Sequence, residues 1–205
     1  MTEKTKIAVL VSGGGTNLQA LLDAEKSGIL KSGKITLVIS NKKDAYALTR
    51  ASNAGVKGVV ISQKDEGQAL SFEDRLIEAL EAEKAELIIL AGFMCILSEK
   101  FTHHFKDRII NVHPALIPSF CGKGYYGLNV HREALNYGVK VTGATVHFVN
   151  EIPDGGKIIM QKAVSVEEGD TPEILQKRVM EEAEWVILPM AAEKVSAEIM
   201  KGRVK

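Results

Sequence analysis

Two rhythms of apolar and polar residues run along this chain. Five short apolar runs, residues 6–12, 34–40, 56–61, 87–91 and 108–112, are bounded by glycine or polar residues. Uninterrupted runs of this length suit strands covered on both faces, as in parallel sheets. Between them lie segments with apolar residues at helical spacing. Residues 17–28 carry Leu18, Leu21 and Leu22, residues 45–54 end at Gly55, and residues 71–83 carry Phe72, Leu76, Ile77 and Leu80. Strands alternating with helices predict βαβ units. The expected fold is therefore an open, mostly parallel, Rossmann-like α/β sheet with helices on both faces.

After residue 140 the rhythm changes. Residues 141–149 and 157–166 predict two strands joined by the polar connection Asn150-Glu151-Ile152-Pro153-Asp154-Gly155-Gly156. Thr171-Pro172-Glu173 then reads as a helix start: a threonine cap, proline at the first helical position and an acid in the first turn. That helix is expected to run toward residue 201 and to bend or restart near Pro189. No repeat, low-complexity tract or linker interrupts the pattern, so one domain over residues 1–205 is expected.

Charge narrows the partners. The 26 Lys and Arg residues balance 26 Asp and Glu residues, which argues against a nucleic-acid partner. No run of 18 apolar residues is present, and the apolar run at residues 7–11 is too short for a secretory leader. No membrane association and a cytoplasmic location are expected. Cys95 and Cys121 have neither zinc-type spacing nor a disulfide framework. His103, His104, His131 and His147 show no metal-ligand spacing, so no metal is expected.

Ligands of open α/β sheets sit beyond the carboxyl ends of the strands, which selects three stretches. After the first strand comes Ser12-Gly13-Gly14-Gly15-Thr16-Asn17. Its backbone amides and the following helix start suit an anion, most naturally a phosphate, without a cationic side chain. The alternative is a tight turn that needs glycine for positive φ. The stretch is neither a Walker loop nor a dinucleotide fingerprint, since Leu18 stands where a third glycine belongs. After the fourth strand, Gly92-Phe93-Met94-Cys95-Ile96-Leu97 suits either a pocket for a flat heterocycle or plain core packing. After the fifth, Asn111 and His113 stand two apart and project to one side. An amide donor beside an imidazole suits a reaction in which a carbonyl oxygen gains negative charge. Asp154, in a turn sequence, would raise the pKa of His113 if its loop folded over the imidazole.

Together Ser12-Gly13-Gly14-Gly15-Thr16-Asn17-Leu18-Gln19, Leu90-Ala91-Gly92-Phe93-Met94-Cys95-Ile96-Leu97, Asn111-Val112-His113-Pro114 and its continuation to Phe120, Val141 to Val149, and Asp154-Gly155-Gly156 resemble, in order, the folate-dependent glycinamide ribonucleotide formyltransferases. The resemblance runs over residues 6–193. It implies transfer of a formyl group from the cosubstrate 10-formyltetrahydrofolate to the amine of a phosphoribosyl glycinamide in purine biosynthesis. It implies that Gly15, Thr16, Asn17 and Glu184 hold the phosphoribosyl substrate. Met94, Cys95, Ile96, Leu97 and Asn111 would contact the folate, the first four largely through backbone. Asn111, protonated His113 and Asp154 would be the catalytic trio, stabilising a tetrahedral intermediate formed by direct attack.

This sequence departs from the family in four places. Cys95 stands where relatives commonly carry Arg, and Trp185 where a His is expected after Glu184. The Cys121-to-Gly127 stretch is longer and carries Tyr125 and Tyr126, and no Arg stands near Ala69. Competing readings are a formyltetrahydrofolate hydrolase, an amino-sugar formyltransferase and a non-catalytic module binding a phosphorylated metabolite. Larger relatives carry an added regulatory or nucleic-acid-binding domain, for which 205 residues are expected to leave no room.

Overall fold

The computed structural model describes residues 3–64 and 70–202; Ala69 lies outside them. Among the described residues seven strands form one sheet in the order β3-β2-β1-β4-β5-β6-β7. They are β1 (Thr5–Val11), β2 (Gly33–Ser40), β3 (Lys57–Val60), β4 (Leu87–Leu90), β5 (Ile109–His113), β6 (Val141–Phe148) and β7 (Ile158–Ser165). The first five are mutually parallel, β6 is antiparallel to β5, and β7 is antiparallel to β6. The mostly parallel α/β sheet expected from the sequence is the fold observed.

Alternation along the strands builds two cores. Ile7, Val9 and Val11 of β1 face a cluster with Leu18 and Leu21 of α1 (Thr16–Ser27) and Ile187, Leu188 and Ala191 of α7 (Trp185–Met200). Ala8 and Leu10 face the opposite cluster. There they join Leu76 and Leu80 of α3 (Phe72–Glu83) and Phe101 of α4 (Glu99–His104). Successive strand residues point to opposite sides, so an unbroken apolar run is what a sheet packed on both faces requires. Helix α2 (Tyr46–Asn53) follows β2, α5 (Leu128–Tyr137) precedes β6, and α6 (Pro172–Val179) follows β7. The threonine cap is in place: the Thr171 side chain accepts from the Ile174 amide, with Pro172 at the helix start. No helix among the described residues is long and apolar enough to cross a membrane.

Three differences from the sequence reading stand out. Helices α4 and α5 were not anticipated. The last helix does not break at Pro189; it is interrupted upstream by a π-helical turn, Met180–Glu184, and Pro189 lies inside α7. A proline ring clashes with the carbonyl four residues earlier, here that of Trp185. The irregularity therefore falls one turn before the proline, where a wider π turn accommodates it.

Strand order reverses between β1 and β4, β1 being followed by β2 on one side while β4 returns to the other. This switch point opens a crevice at the carboxyl ends. The glycine loop after β1 and the loop after β4 flank it, and the buried Ser12 hydroxyl accepts a hydrogen bond from the Met94 amide at 2.8 Å across it.

Candidate active site

The glycine loop is shaped by its packing on α2. Gly15 has φ 72°, and a Cβ there would come within 2.6 Å of the Ala47 Cβ. Only glycine fits both the conformation and the approach. The loop leads into α1, whose start aims backbone amides outward. On its first turn the buried Asn17 amide donates to Glu184 at 2.7 Å, while Asn17 Oδ1 is buried without a partner. Glu184 ends the π turn and is only 6% exposed, and burial pushes its carboxyl above the ordinary range despite the Asn17 contact. The sequence-predicted residues Gly15, Thr16, Asn17 and Glu184 thus come together.

Asn111 and His113 project from one face of β5. In the antiparallel register Asn111 lies opposite His147 and His113 opposite Thr145, so four polar side chains share a patch of sheet. Two loops fold over it. From the first, the Phe120 carbonyl lies 2.8 Å from His113 Nε2 and the Gly122 amide donates to Asp154 Oδ2 at 2.8 Å. The second brings Asp154, whose oxygens lie 3.5 Å from His113 Nδ1 and 3.5 Å from His147 Nε2. Phe120 (φ 48°) and Asp154 (φ 56°) both adopt left-handed backbone. Such strain costs of order 1–3 kcal/mol per residue and concentrates where geometry must be held. The buried Thr145 hydroxyl donates to the Ala115 carbonyl at 2.7 Å and accepts from the Ile117 amide and Gln161 Nε2. This fixes the segment that follows His113. The Asn111, His113 and Asp154 predicted from sequence are therefore neighbours, on the sheet face as much as at the strand end.

His147 was missed as a member of this group. Its Nδ1 lies 2.8 Å from the Phe148 carbonyl, which can only accept, so Nδ1 carries the hydrogen. Nε2 then faces both Asn111 Nδ2 at 3.3 Å and Asp154 Oδ1 at 3.5 Å: the neutral ring accepts from the amide, and only a ring with a second hydrogen donates to the carboxylate. In the neutral form this orients the Asn111 amide and leaves its second N–H for a ligand. The signal was present in the sequence: Thr145 and His147 repeat the two-residue spacing of Asn111 and His113.

Asp154 pulls the His113 pKa up as expected, but the net shift is downward. Burial of the ring (4% exposed) dominates, and the opposing pull of Asp154 and the Phe120 carbonyl does not offset it. The pKa lies below the ordinary imidazole value. Desolvation penalises the charged form, and the sequence carried no measure of it. Burial also pushes the Asp154 carboxyl up, but the imidazoles of His147 and His113 and the Gly122 amide outweigh it and hold it below the ordinary range. An ionised carboxylate thus sits beside an imidazole that is neutral at rest yet has acceptors at both nitrogens.

Of the residues expected to line a ring pocket, Met94 (53% exposed) and Ile96 (77%) stand out from the loop after β4. Cys95 is half-buried and accepts from Asn41 at 3.0 Å, while Leu97 turns into the core beside Phe93 and Phe101. Tyr125 packs edge-on against Phe120, whose carbonyl contacts His113, and Tyr126 is exposed. A cavity of about 580 Å³ lies between α1 and α7 rather than over His113, and is also lined by Thr16 at the end of the glycine loop and by Arg50 of α2. Among the described residues no three His, Cys, Asp or Glu side chains are grouped to hold a metal ion.

Comparison with known proteins gives the family and supports the fold. Residues 5–191 match the family model described as formyl transferase. The chain is 43% identical to the phosphoribosylglycinamide formyltransferase of Haemophilus influenzae over 90% of this chain and 84% of that protein. It is 45% identical to the trifunctional purine biosynthetic protein adenosine-3 of Gallus gallus over 96% of this chain but only 19% of that protein, so it spans about a fifth of that relative's length. The glycinamide ribonucleotide transformylase 1 structure from Symbiobacterium toebii superposes with a TM-score of 0.86 at 42% identity, covering 98% of this chain and 89% of that one.

Proposed function

The chain belongs to the formyl transferase family, and from that premise we propose that it transfers the formyl group of 10-formyltetrahydrofolate to the amine of phosphoribosylglycinamide in de novo purine biosynthesis. The products are formylglycinamide ribonucleotide and tetrahydrofolate. The reading takes residues 1–205 as one formyltransferase domain acting on small molecules in the cytoplasm. The observation that carries it is the convergence of Asn111, His113 and Asp154 beside two loops tied across the switch point.

In this reading the glycine loop and the start of α1 hold the phosphate, with Gly15, Thr16 and Asn17 contributing amides. Glu184, beside Asn17, faces the ribosyl part. The folate ring lies against the backbone of Met94, Cys95, Ile96 and Leu97, with Asn111 reaching its formyl group. The substrate amine attacks the formyl carbon, and the free N–H of Asn111 donates to the oxygen that becomes an anion. His113, neutral at rest, takes up the proton the amine sheds. The resulting imidazolium is stabilised by Asp154 and the Phe120 carbonyl, the two acceptors already flanking the ring. It then returns a proton toward the departing folate nitrogen. This revises the expectation of a histidine protonated from the outset.

The test supplies 10-formyltetrahydrofolate with phosphoribosylglycinamide, with water alone, or with an amino-sugar nucleotide. Transfer to the ribonucleotide alone is expected, with His113→Ala lowering kcat by a factor on the order of 10²–10⁴ and leaving thermal unfolding broadly intact. Tetrahydrofolate release without an amine acceptor, or near-normal turnover in the variant, would overturn the reading.

A further inference from the structure

The sequence assigns no cationic side chain to the glycine loop, yet the fold brings one there. Arg50, on α2, donates from Nε to the Gly14 carbonyl at 2.8 Å and from Nη1 to Gln19 Oε1 at 3.0 Å. Its guanidinium also lies 5.0 Å from the centre of the Tyr46 ring, so stacking and two hydrogen bonds fix its position. The neighbouring carbonyls are held too. Gly13 accepts from the Ala47 amide at 3.1 Å, and Gly15 accepts from the Gln19 amide at 2.9 Å.

In a trans peptide the carbonyl and the next residue's N–H point in opposite directions. Whatever holds the carbonyls of Gly13, Gly14 and Gly15 therefore aims the amides of Gly14, Gly15 and Thr16. Those three amides find no acceptor among the described residues. Two of the three carbonyls are held by backbone and one by a side chain. The Gly13–Gly14 and Gly14–Gly15 peptides both join residues with wide conformational freedom; the Ala47 amide holds the first, and the Arg50 side chain holds the second.

Resting on the phosphate-cradle reading above, we propose that Arg50 is a positioning residue for the phosphorylated substrate. Its guanidinium locks the Gly14–Gly15 peptide so that the Gly15 amide faces the anion, and it adds a positive charge behind the loop. It acts through the backbone rather than on the reacting atoms, and its effect falls mainly on the phosphorylated substrate.

The experiment uses the full chain with two variants. Arg50→Met keeps the aliphatic stem; Arg50→Lys keeps the charge but not the planar pair of donors. Inorganic phosphate is titrated while backbone amide resonances are followed by NMR, and KM is measured separately for phosphoribosylglycinamide and for 10-formyltetrahydrofolate. In the wild type the Gly14, Gly15 and Thr16 resonances are expected to move on phosphate addition. In Arg50→Met the phosphate Kd and the KM for phosphoribosylglycinamide rise about tenfold, as for one lost charge-assisted hydrogen bond. The folate KM stays within about twofold. Arg50→Lys falls between. Unchanged phosphate affinity in Arg50→Met, or equal rises in both KM values, overturns the role of Arg50 while leaving the cradle standing. Wild-type amides that ignore phosphate overturn the cradle itself, and this inference with it.

Discussion

His131 offers a direct measurement of what a buried imidazole costs this fold. It lies on α5, is fully buried, and neither ring nitrogen has a hydrogen-bond partner. Burial, with a smaller contribution from the neighbouring His113, pushes its pKa down to about 4. In the unfolded chain an imidazole titrates near 6.5. Between these values the unfolded ring binds a proton that the folded ring refuses, so stability is full above about pH 6.5 and is lost as pH falls toward 4. Linkage gives a loss of about 2.5 kcal/mol between pH 7.5 and pH 4.5 from this residue alone. His131→Leu removes the titration while filling similar space, and replacing an unsatisfied buried polar group by an apolar one is close to neutral or stabilising. Urea unfolding followed by the fluorescence of the single tryptophan, Trp185, measures both proteins at both pH values. Other titrating groups act equally on both proteins and cancel in the difference. The variant is expected to be at least as stable as the wild type at pH 7.5, and its advantage to widen by about 2.5 kcal/mol at pH 4.5. A gap that changes by less than about 0.5 kcal/mol would refute the argument from desolvation.

Two further expectations follow from the site. Because His113 is neutral at rest and its pKa is depressed, kcat/KM is expected to rise with pH through a value below about 6.5 and then level. Asp154→Asn removes the opposing pull, moving that limb to lower pH and lowering the plateau by about 10²-fold or more; a profile that falls with rising pH over this range would restore the protonated resting histidine. At the loop, Gly15→Ala meets both positive φ and the Ala47 contact, whereas Gly28, at φ 81°, has open space around it. Both alanine variants should lower Tm through backbone strain of about 1–2 kcal/mol, but only Gly15→Ala should raise the KM for phosphoribosylglycinamide.

What could be read in advance follows from the range of the interaction involved. The strands were legible because β1, β2 and β4 are packed on both faces and leave unbroken apolar runs. Helix α4 escaped because it has only six residues, too few for a period to show. In α5 the buried stripe of Val130, His131 and Ala134 contains a histidine, which breaks an apolar pattern although the ring is buried. The π turn has no compositional mark; it is one residue more than an α-helical path between Val179 and Trp185 accommodates. Asn111, His113 and Asp154 were recognisable by chemistry and spacing, and Glu184 only through the family resemblance. The place of His147 beside Asn111 depended on an antiparallel register, and the sign of the His113 shift on burial. Both arise from long-range packing. Arg50 meets the glycine loop across 36 residues of chain, a contact that no local pattern announces.

The bond from the Met94 amide to the Ser12 hydroxyl ties the two sides of the crevice to one another, a link through which binding on one side can be felt on the other. A ligand that stills the glycine loop leaves the loop after β4 less freedom to lose, so a second ligand there binds at lower entropic cost. Any such coupling is reciprocal by necessity: if, as proposed, the phosphorylated substrate lies on one loop and the folate on the other, whatever tightening the first confers on the second is returned in equal measure.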